Sequence, residues 1–279
     1  DSSNSAGIQS DIFYDLDTSI IIHDKLNNIT FYNNVDSPLS FKSIKKVKNL
    51  IDKNYQKIDI ASVCPRGASE YPQTFLNTNR KKEKKKIITK CLDRAKKMLE
   101  ILKPRYYVPG GGSYIIYGKY HSLQKFVAHP SHSKIENYLK KIKNLKILKL
   151  DDTSSVKIRS NKITLNQKKE NSNKKLKLKI LKNKKYPYMK LNSSNFDIDR
   201  IFKTAKDNYF NISRKLNVKV KWKIEFFIYE NLKLNSVDKI NKKDKFIYNF
   251  TLSDKKVKKY SQILNCYLDK KLFISLLTD

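Results

Sequence analysis

The segment from residue 58 to residue 112 constrains the fold of this chain more than any other. It begins with "IDIASVC" (58–64), an apolar run typical of a buried strand, and continues after a loop into a helical pattern at 81–102. Pro104 ends this pattern, and the strand-like run "RYYV" follows at once. Strand, loop, helix and strand in this order predict an α/β layer arrangement.

The helix predicted at 81–102 has one apolar stripe, and lysines occupy most of the remaining positions. The stripe consists of Ile87, Ile88, Cys91, Ala95, Met98, Leu99 and Leu102. This pattern is typical of a helix with one side packed on a core and the other side in water.

Two short runs near the start of the chain predict a β-hairpin. "DTSIIIHD" (17–24) and "ITFYN" (29–33) are rich in β-branched and aromatic residues, and the "KLNN" between them can form the turn. Ser40 then precedes a helical pattern, which we predict it caps. The apolar positions of that helix are Phe41, Ile44, Val47 and Ile51. A further basic helix is predicted at 133–147.

The last third of the chain predicts an α+β region. Residues 166–185 are lysine-rich and of low complexity, which is typical of a linker or an exposed hairpin. A helical pattern at 198–216 precedes a strand at 218–228, where apolar and charged side chains alternate. Because such alternation gives a strand one core face and one wet face, it predicts an antiparallel sheet. Further strands are predicted at 245–252 and 262–268, and "DKKLFISLL" predicts a closing helix.

The net charge of +34, from 60 basic and 26 acidic residues, raises the question of a polyanionic partner. Only seven of the basic residues are arginines, although guanidinium forks are the preferred readers of phosphates and bases. The lysines are spread over every segment and do not gather on one element. We therefore interpret the charge as compositional drift and do not expect nucleic acid as a partner.

The cysteine pattern favours a cytoplasmic location. The three cysteines are far apart and show no CxxC or Cys/His spacing, so neither a disulfide framework nor a zinc finger is indicated. No apolar run of about eighteen residues is present, so we expect no membrane partner. His129 and His132 bracket Pro130, and without a third ligand nearby we expect no metal site at this pair.

Three loops are candidates for a functional edge of the α/β layer: 33–38, 64–73 and 109–114. Asp36 follows a strand end, where a carboxylate can ligate a metal or orient a base, but an Asx turn before Pro38 is also consistent with the pattern. Gly110 to Gly112 are half of the six glycines in the chain. They allow positive φ or a close approach to the backbone, and a tight turn without a ligand remains the alternative.

The ordered set "DTSIIIHDKLNNITFYNNVDS", "KIDIASVCPRGASEYPQ", a long helix and "LKPRYYVPGGGSYI" resembles the second half of a metallo-β-lactamase-fold protein. The likeness covers roughly residues 10–150. It is to the branch that contains CMP-N-acetylneuraminate hydroxylase-like proteins and ascorbate-6-phosphate lactonase-like hydrolases. The resemblance implies that residues 1–150 form the C-terminal half of an αββα sandwich. A lysine-rich linker or exposed hairpin at 151–190 and a smaller α+β region at 191–279 would follow.

The resemblance also implies a set of site residues. In that fold an HxHxDH motif supplies most of the metal ligands, and this chain contains no such motif. Asp36 falls where the family's bridging aspartate follows its strand, so it is the expected ligand for a zinc, iron or manganese ion of the parent protein. Gly111, Ser113 and Tyr114 are expected to bind a sugar-like substrate.

The function implied by the resemblance is that of a metal-dependent hydrolase-like protein acting on a sugar or sugar nucleotide in polysaccharide metabolism. Because the chain starts with Asp1 and lacks most of the ligands, we expect it to be a fragment that is inactive alone. Two alternatives stay open. One is a metal-free, non-catalytic homologue that binds a sugar or a partner protein, and the other is a lysine-rich nucleic-acid-binding protein.

Overall fold

The computed structural model describes residues 19–35, 39–67, 69–111, 114–150, 154–159, 162–167, 179–181, 183–218, 222–232, 234–235, 239–240, 245–253 and 259–278. The chain forms two compact units. Unit 1 comprises residues 1–116 and 123–177, and unit 2 comprises residues 117–122 and 178–279. None of the helices in the described ranges has the length and apolar character needed to cross a bilayer.

Unit 1 is built on a five-stranded sheet in the order β1-β2-β3-β4-β5. The strands are β1 (Ile20–Asp24), β2 (Ile29–Asn34), β3 (Ile60–Val63), β4 (Tyr106–Pro109) and β5 (Lys146–Ile147). β1 pairs antiparallel with β2, whereas β2 to β5 are parallel. The predicted hairpin is thus confirmed over its described residues, and Asn28 in its turn takes the positive φ of 50° that favours asparagine.

Helices connect the parallel strands: α1 (Phe41–Tyr55), α2 (Arg80–Leu102) and α3 (His132–Leu139). Ser40 caps α1 as predicted, with its side chain accepting a hydrogen bond from the Ser43 backbone N–H at 3.1 Å. Asn79 caps α2 in the same way. The other end of α2 closes on Lys103, which has a left-handed conformation and donates its N–H to the Leu99 carbonyl just before Pro104.

The two faces of this sheet pack against different layers. On one face, Tyr32, Ala61 and Tyr107 form a core with the three helices. On the other face, Ile60 and Tyr106 form a smaller cluster, together with side chains of a hairpin made of β6 (Ser154–Arg159) and β7 (Lys162–Gln167). The packing follows the alternation of side chains along each strand.

The prediction of one helix over 133–147 is wrong. The helix α3 ends at Leu139, and the chain then turns at Asn144, whose φ is 63°, to enter β5 at Lys146. Leu148 continues the pairing by donating its N–H to the Tyr107 carbonyl at 2.8 Å. The lysine-rich composition of this stretch is like that of the helices, but pairing with β4 decided its structure.

Unit 2 is centred on a three-stranded sheet in the order β11-β8-β12. Its strands are β8 (Trp222–Tyr229), β11 (Tyr248–Leu252) and β12 (Gln262–Asp269), and its helices are α4 (Ile198–Lys215) and α5 (Lys270–Thr278). A short hairpin of β9 (Leu234–Asn235) and β10 (Lys239–Ile240) is separate from this sheet. Short 3₁₀ segments of unit 2 lie at Pro187–Lys190 and Ser193–Asn195. A further one, Gly118–Phe126, belongs to unit 2 up to Ser122 and to unit 1 from Leu123.

The expectation of an antiparallel sheet in unit 2 is wrong in one respect. β11 pairs antiparallel with β8, but β12 pairs parallel with β8 over all eight positions, so the sheet is mixed. Alternation of side chains along β8 cannot distinguish these cases, because it reports the two faces of a strand and not the direction of its neighbours. The structure as a whole is mixed α/β, and the three-part organisation expected from the sequence stays a prediction.

Candidate functional site

Three loops of unit 1 meet at the carboxyl edge of its parallel strands. Val63, the last residue of β3, lies between Asn34 of β2 and Pro109 of β4 in the strand register, so these strands end together. We call residues 33–35, 64–67, 69–73 and 109–111, with Tyr114 and His129, the loop edge. Carboxyl ends of parallel strands are where α/β folds place ligand sites.

Arg66 joins two of these loops. Its Nη1 donates hydrogen bonds to the carbonyl oxygens of Gly110, at 3.1 Å, and Gly111, at 2.5 Å. Its Nε is buried and has no hydrogen-bond partner among the described residues. The fork of the guanidinium is therefore held in place by the backbone after β4, while its buried Nε donor is left without an acceptor among the described residues.

The glycines after β4 are explained by close packing within the chain. A Cβ on Gly110 would meet the Val35 side chain and would lie 2.6 Å from Ser62 Oγ. Gly111 has a φ of 74°, and a Cβ there would lie 2.5 Å from Cys64 Sγ. The bare backbone thus makes room for side chains of the neighbouring loops, and the expected contact between Gly111 and a substrate stays a prediction.

Gln73, Tyr114 and His129 form a second group at the loop edge. The Tyr114 hydroxyl donates to the Ser69 carbonyl at 2.9 Å and accepts from Gln73 Nε2, which also donates to Ser69 at 2.8 Å. The Tyr114 ring lies edge-on to the His129 ring with 4.9 Å between centroids. Gln73 is 1% exposed, and its Oε1 has no partner in the described part of the chain.

His129 offers a free nitrogen at this site. Its Nε2 lies 2.9 Å from the Gly67 carbonyl, so Nε2 must carry the proton and Nδ1 the lone pair when the ring is neutral. Nδ1 is buried and without a partner among the described residues. Burial lowers the pKa of His129, the hydrogen bond to Gly67 opposes this, and the nearby charges of Arg66 and Lys84 lower it further.

Two cationic side chains, Arg66 and Lys84, lie near His129. Lys84 lies close enough to His129 to affect its pKa, and its Nζ donates to the Lys125 carbonyl at 2.7 Å. Burial and the charge of Lys134 lower the pKa of Lys84 itself. Within the described ranges, no carboxylate forms an ion pair with Arg66 or Lys84. Burial and the charge of Glu70, which is also part of the loop edge, raise the pKa of Tyr114, so the positive charge is confined to the side near His129.

Three buried side-chain atoms at the loop edge have unused hydrogen-bonding capacity. Arg66 Nε can donate a hydrogen bond, whereas Gln73 Oε1 and His129 Nδ1 can each accept one. A hydroxyl group can both donate and accept a hydrogen bond, so it is chemically complementary to all three atoms. A neutral His129 can also accept a proton from a bound hydroxyl.

The residues expected at the site have different outcomes. Tyr114 and Gly111 lie at the loop edge, and the Tyr114 side chain is partly exposed. Ser113 and Asp36 lie outside the described residues, so their roles stay predictions. Asn33, three residues before Asp36, accepts a hydrogen bond from the Val35 N–H at 3.1 Å, which is an Asx turn at the strand end.

Arg66, Gln73 and the unpaired nitrogen of His129 were missed by reasoning from sequence. The only available signal for Arg66 was its position just after a buried strand. The spacing of His129 and His132 raises only the question of a metal pair and gives no sign of a buried lone pair. Gln73 carries no signal of its own, because glutamine is common in exposed loops and its burial results from contacts with Tyr114.

No group of three or more histidine, cysteine, aspartate or glutamate side chains is placed to hold an ion in the ranges that the structure describes. At the loop edge the neighbours of His129 are cationic, which is unfavourable for a divalent cation.

Comparisons of the chain with models of protein families, with curated proteins and with solved structures found no match.

Proposed function

We propose that this chain is part of a hydrolase-like protein with a metallo-β-lactamase-like fold, and that the loop edge of unit 1 binds its sugar or sugar-nucleotide substrate. The observation that carries the proposal is the meeting of three loops at the ends of β2, β3 and β4, with unpaired polar atoms on Arg66 and His129. The segments that carry the family resemblance are the same ones that supply these strands and loops.

The proposed substrate carries hydroxyl groups and a negative charge. Arg66 would bind the anionic group, because its guanidinium is fixed by Gly110 and Gly111 and has no carboxylate partner within the described ranges. Gln73 and His129 would accept hydrogen bonds from sugar hydroxyls. Leaving these buried atoms unpaired costs about 1–3 kcal/mol each, so a ligand or an ordered water that satisfies them is favoured.

The divalent metal implied by the resemblance belongs to this proposal only through Asp36, which lies outside the described residues. In a hydrolase of that fold the metal would activate the attacking water. The residues of the loop edge would bind and orient the substrate, and their part in binding does not depend on the metal.

The proposal is tested by isothermal titration calorimetry with three probes: glucose, glucose 6-phosphate and a nucleoside diphosphate sugar. We expect the two anionic probes to bind and glucose to bind at least about tenfold more weakly, a difference of roughly 1.4 kcal/mol. Arg66→Met should weaken binding of the anionic probes by about tenfold or more, because a charge-assisted hydrogen bond is removed.

Arg105→Met is the matched control. Arg105 directly precedes β4, so it lies at the opposite edge of the same sheet, and its loss removes the same charge from unit 1. The affinity of the Arg105→Met variant for the anionic probes should remain within about twofold of that of the wild type. Equal losses in both variants would show only non-specific attraction to a basic chain. Binding of unrelated single-stranded nucleic acid with a steep salt dependence would favour the nucleic-acid alternative instead.

A further inference from the structure

β12 is an edge strand with one free side. It pairs with β8 along its whole length, and no strand in the described part of the chain pairs with its other side. Its first half is exposed: the side chains at Ile263 and Leu264 are 64% and 44% accessible. A long, exposed apolar edge offers unpaired N–H and C=O groups that bind another strand.

The sequence of this edge is unusual within the chain. Residues 261–268, "SQILNCYL", contain no charged residue, whereas the chain carries 60 lysines and arginines in total. Proteins normally protect such an edge with a lysine, a proline or a β-bulge. Residues 262–268 contain neither lysine nor proline, and their pairing with β8 has no bulge. The absence of this protection indicates that the edge is used.

The strand that fits this edge best is a second β12. Two copies of a chain with a net charge of +34 repel each other wherever lysine-rich surfaces would meet. An uncharged segment is one that two copies can bring together without placing cations opposite each other. A symmetric contact also closes after two subunits, whereas β12 binding to β11 of another copy would continue into a filament.

We propose that two copies of this chain form a dimer by antiparallel pairing of their β12 strands. The shared sheet would have six strands, with β12 of both copies at its centre. Continuity of the two faces requires that odd-numbered positions lie opposite odd-numbered positions. A two-fold axis at Asn265 satisfies this and places Ile263 opposite the partner's Tyr267 on the outer face and Leu264 opposite the partner's Cys266 on the inner face.

These pairs are of the kind that stabilises sheets. A β-branched residue opposite an aromatic one contributes roughly 0.2–1 kcal/mol relative to alanine, and the two Asn265 amides could hydrogen-bond across the axis. We call the contact between the two β12 strands the seam. On its outer face the seam would continue into the ring pair of Phe227 and Tyr267, which stack with 5.2 Å between centroids. Lysines flank the seam at Lys259 and Lys270, so salt should strengthen the dimer by screening their repulsion.

Sedimentation velocity of the full chain over a range of protein concentrations tests the proposal. We expect a monomer–dimer equilibrium that shifts toward the dimer as the salt concentration rises. Ile263→Lys should weaken dimerisation by at least about tenfold, because it places a charge at the seam. The control Ile247→Lys adds the same charge beside β11, at a residue 46% exposed, and should leave the equilibrium unchanged.

A second measurement does not depend on the stability of the lysine variants. In a Cys266→Ser background, Asn265→Cys should give a covalent dimer with a short bismaleimide, because the two thiols would face each other across the axis. Asn249→Cys, at an exposed position on the other edge strand, is its control and should remain monomeric. A wild-type chain that stays monomeric at all concentrations, or equal crosslinking of both variants, would overturn the proposal.

Discussion

Unit 1 and unit 2 bury their apolar residues in different ways. The main core of unit 1 is mostly aliphatic and extends along three helices, with fully buried residues such as Ile44, Leu92 and Leu99. The core of unit 2 is smaller and richer in aromatic side chains. Phe202 stacks on Phe250 with 4.5 Å between centroids and also contacts other phenylalanine rings of the sheet and of α5. Large rings bury more area per residue, which suits a small sheet covered by few helices.

A buried carboxylate adds a second difference. Asp269, at the end of β12, is 4% exposed and accepts hydrogen bonds from the Leu232 N–H at 2.6 Å and the Tyr120 hydroxyl at 2.9 Å. Lys119 pairs with it at 2.7 Å. Burial and the negative charge of Asp269 raise the pKa of Tyr120, so the tyrosine remains a donor. Unit 2 thus combines a small core with a polar network that holds residues 117–122 in place.

The largest effect is expected from breaking this network. Asp269→Ala should destabilise unit 2 by about 3–5 kcal/mol, because it leaves the Tyr120 hydroxyl and the Leu232 N–H without their acceptor and removes the ion pair of Lys119. The Lys119 ammonium keeps only its longer contacts to Asn231 Oδ1 and the Leu232 carbonyl. Urea unfolding followed by the fluorescence of Trp222, the one tryptophan of the chain and a residue of β8, measures this destabilisation. Glu225→Ala removes a partly exposed ion pair with Lys223 and should cost less than about 1 kcal/mol. Equal costs would contradict the assigned role of Asp269.

A cavity in the aliphatic core of unit 1 should have a somewhat smaller effect. Leu99→Ala is expected to destabilise unit 1 by about 3 kcal/mol, because the side chain is fully buried among rigid helices. The rate at which Cys91 reacts with a thiol reagent in urea reports the unfolding of this unit. Leu50→Ala, at a residue 52% exposed on α1, should change the midpoint little. A loss below about 1 kcal/mol at Leu99 would show that this core relaxes around cavities.

The smallest effect concerns pH and the loop edge. Because the pKa of His129 is lowered in the folded state from its ordinary value of 6.5, the unfolded chain binds this proton more readily. Its contribution to stability is therefore complete above that ordinary value and is lost as the pH falls below it. His129→Gln should make the stability of unit 1 less dependent on pH in this range, measured by the same thiol reaction. An unchanged pH dependence would contradict the burial of an uncharged ring.

Local features of the fold were predictable from the sequence. The cap at Ser40, the turn at Asn28 and the end of α2 before Pro104 depend on hydrogen bonds and sterics within a few residues. The helical stripe of α2 was correct for most positions. The predicted stripe omits Leu92, which is fully buried, and includes Cys91, which is only partly buried. Periodicity gives the direction of the buried face but not the width of the layer that packs against it.

The candidate site could be predicted only in outline. That the loops after β2, β3 and β4 would share an edge follows from the alternation of strands and helices, and the structure confirms it for the described residues. Which side chains meet there does not follow. Arg66 contacts the backbone after β4, 44 residues away in sequence, and Gln73 contacts Tyr114, 41 residues away.

The α/β class, the approximate bounds of most helices and the cap at Ser40 could be read from the sequence, because they depend on periodicity and on contacts between near neighbours. Three features depend on long-range contacts: β12 runs parallel to β8, the stretch after α3 forms β5, and the glycines after β4 accommodate Val35, Ser62 and Cys64. The physical reason is that strand pairing and side-chain packing join residues far apart in the chain, where no local pattern specifies the partner.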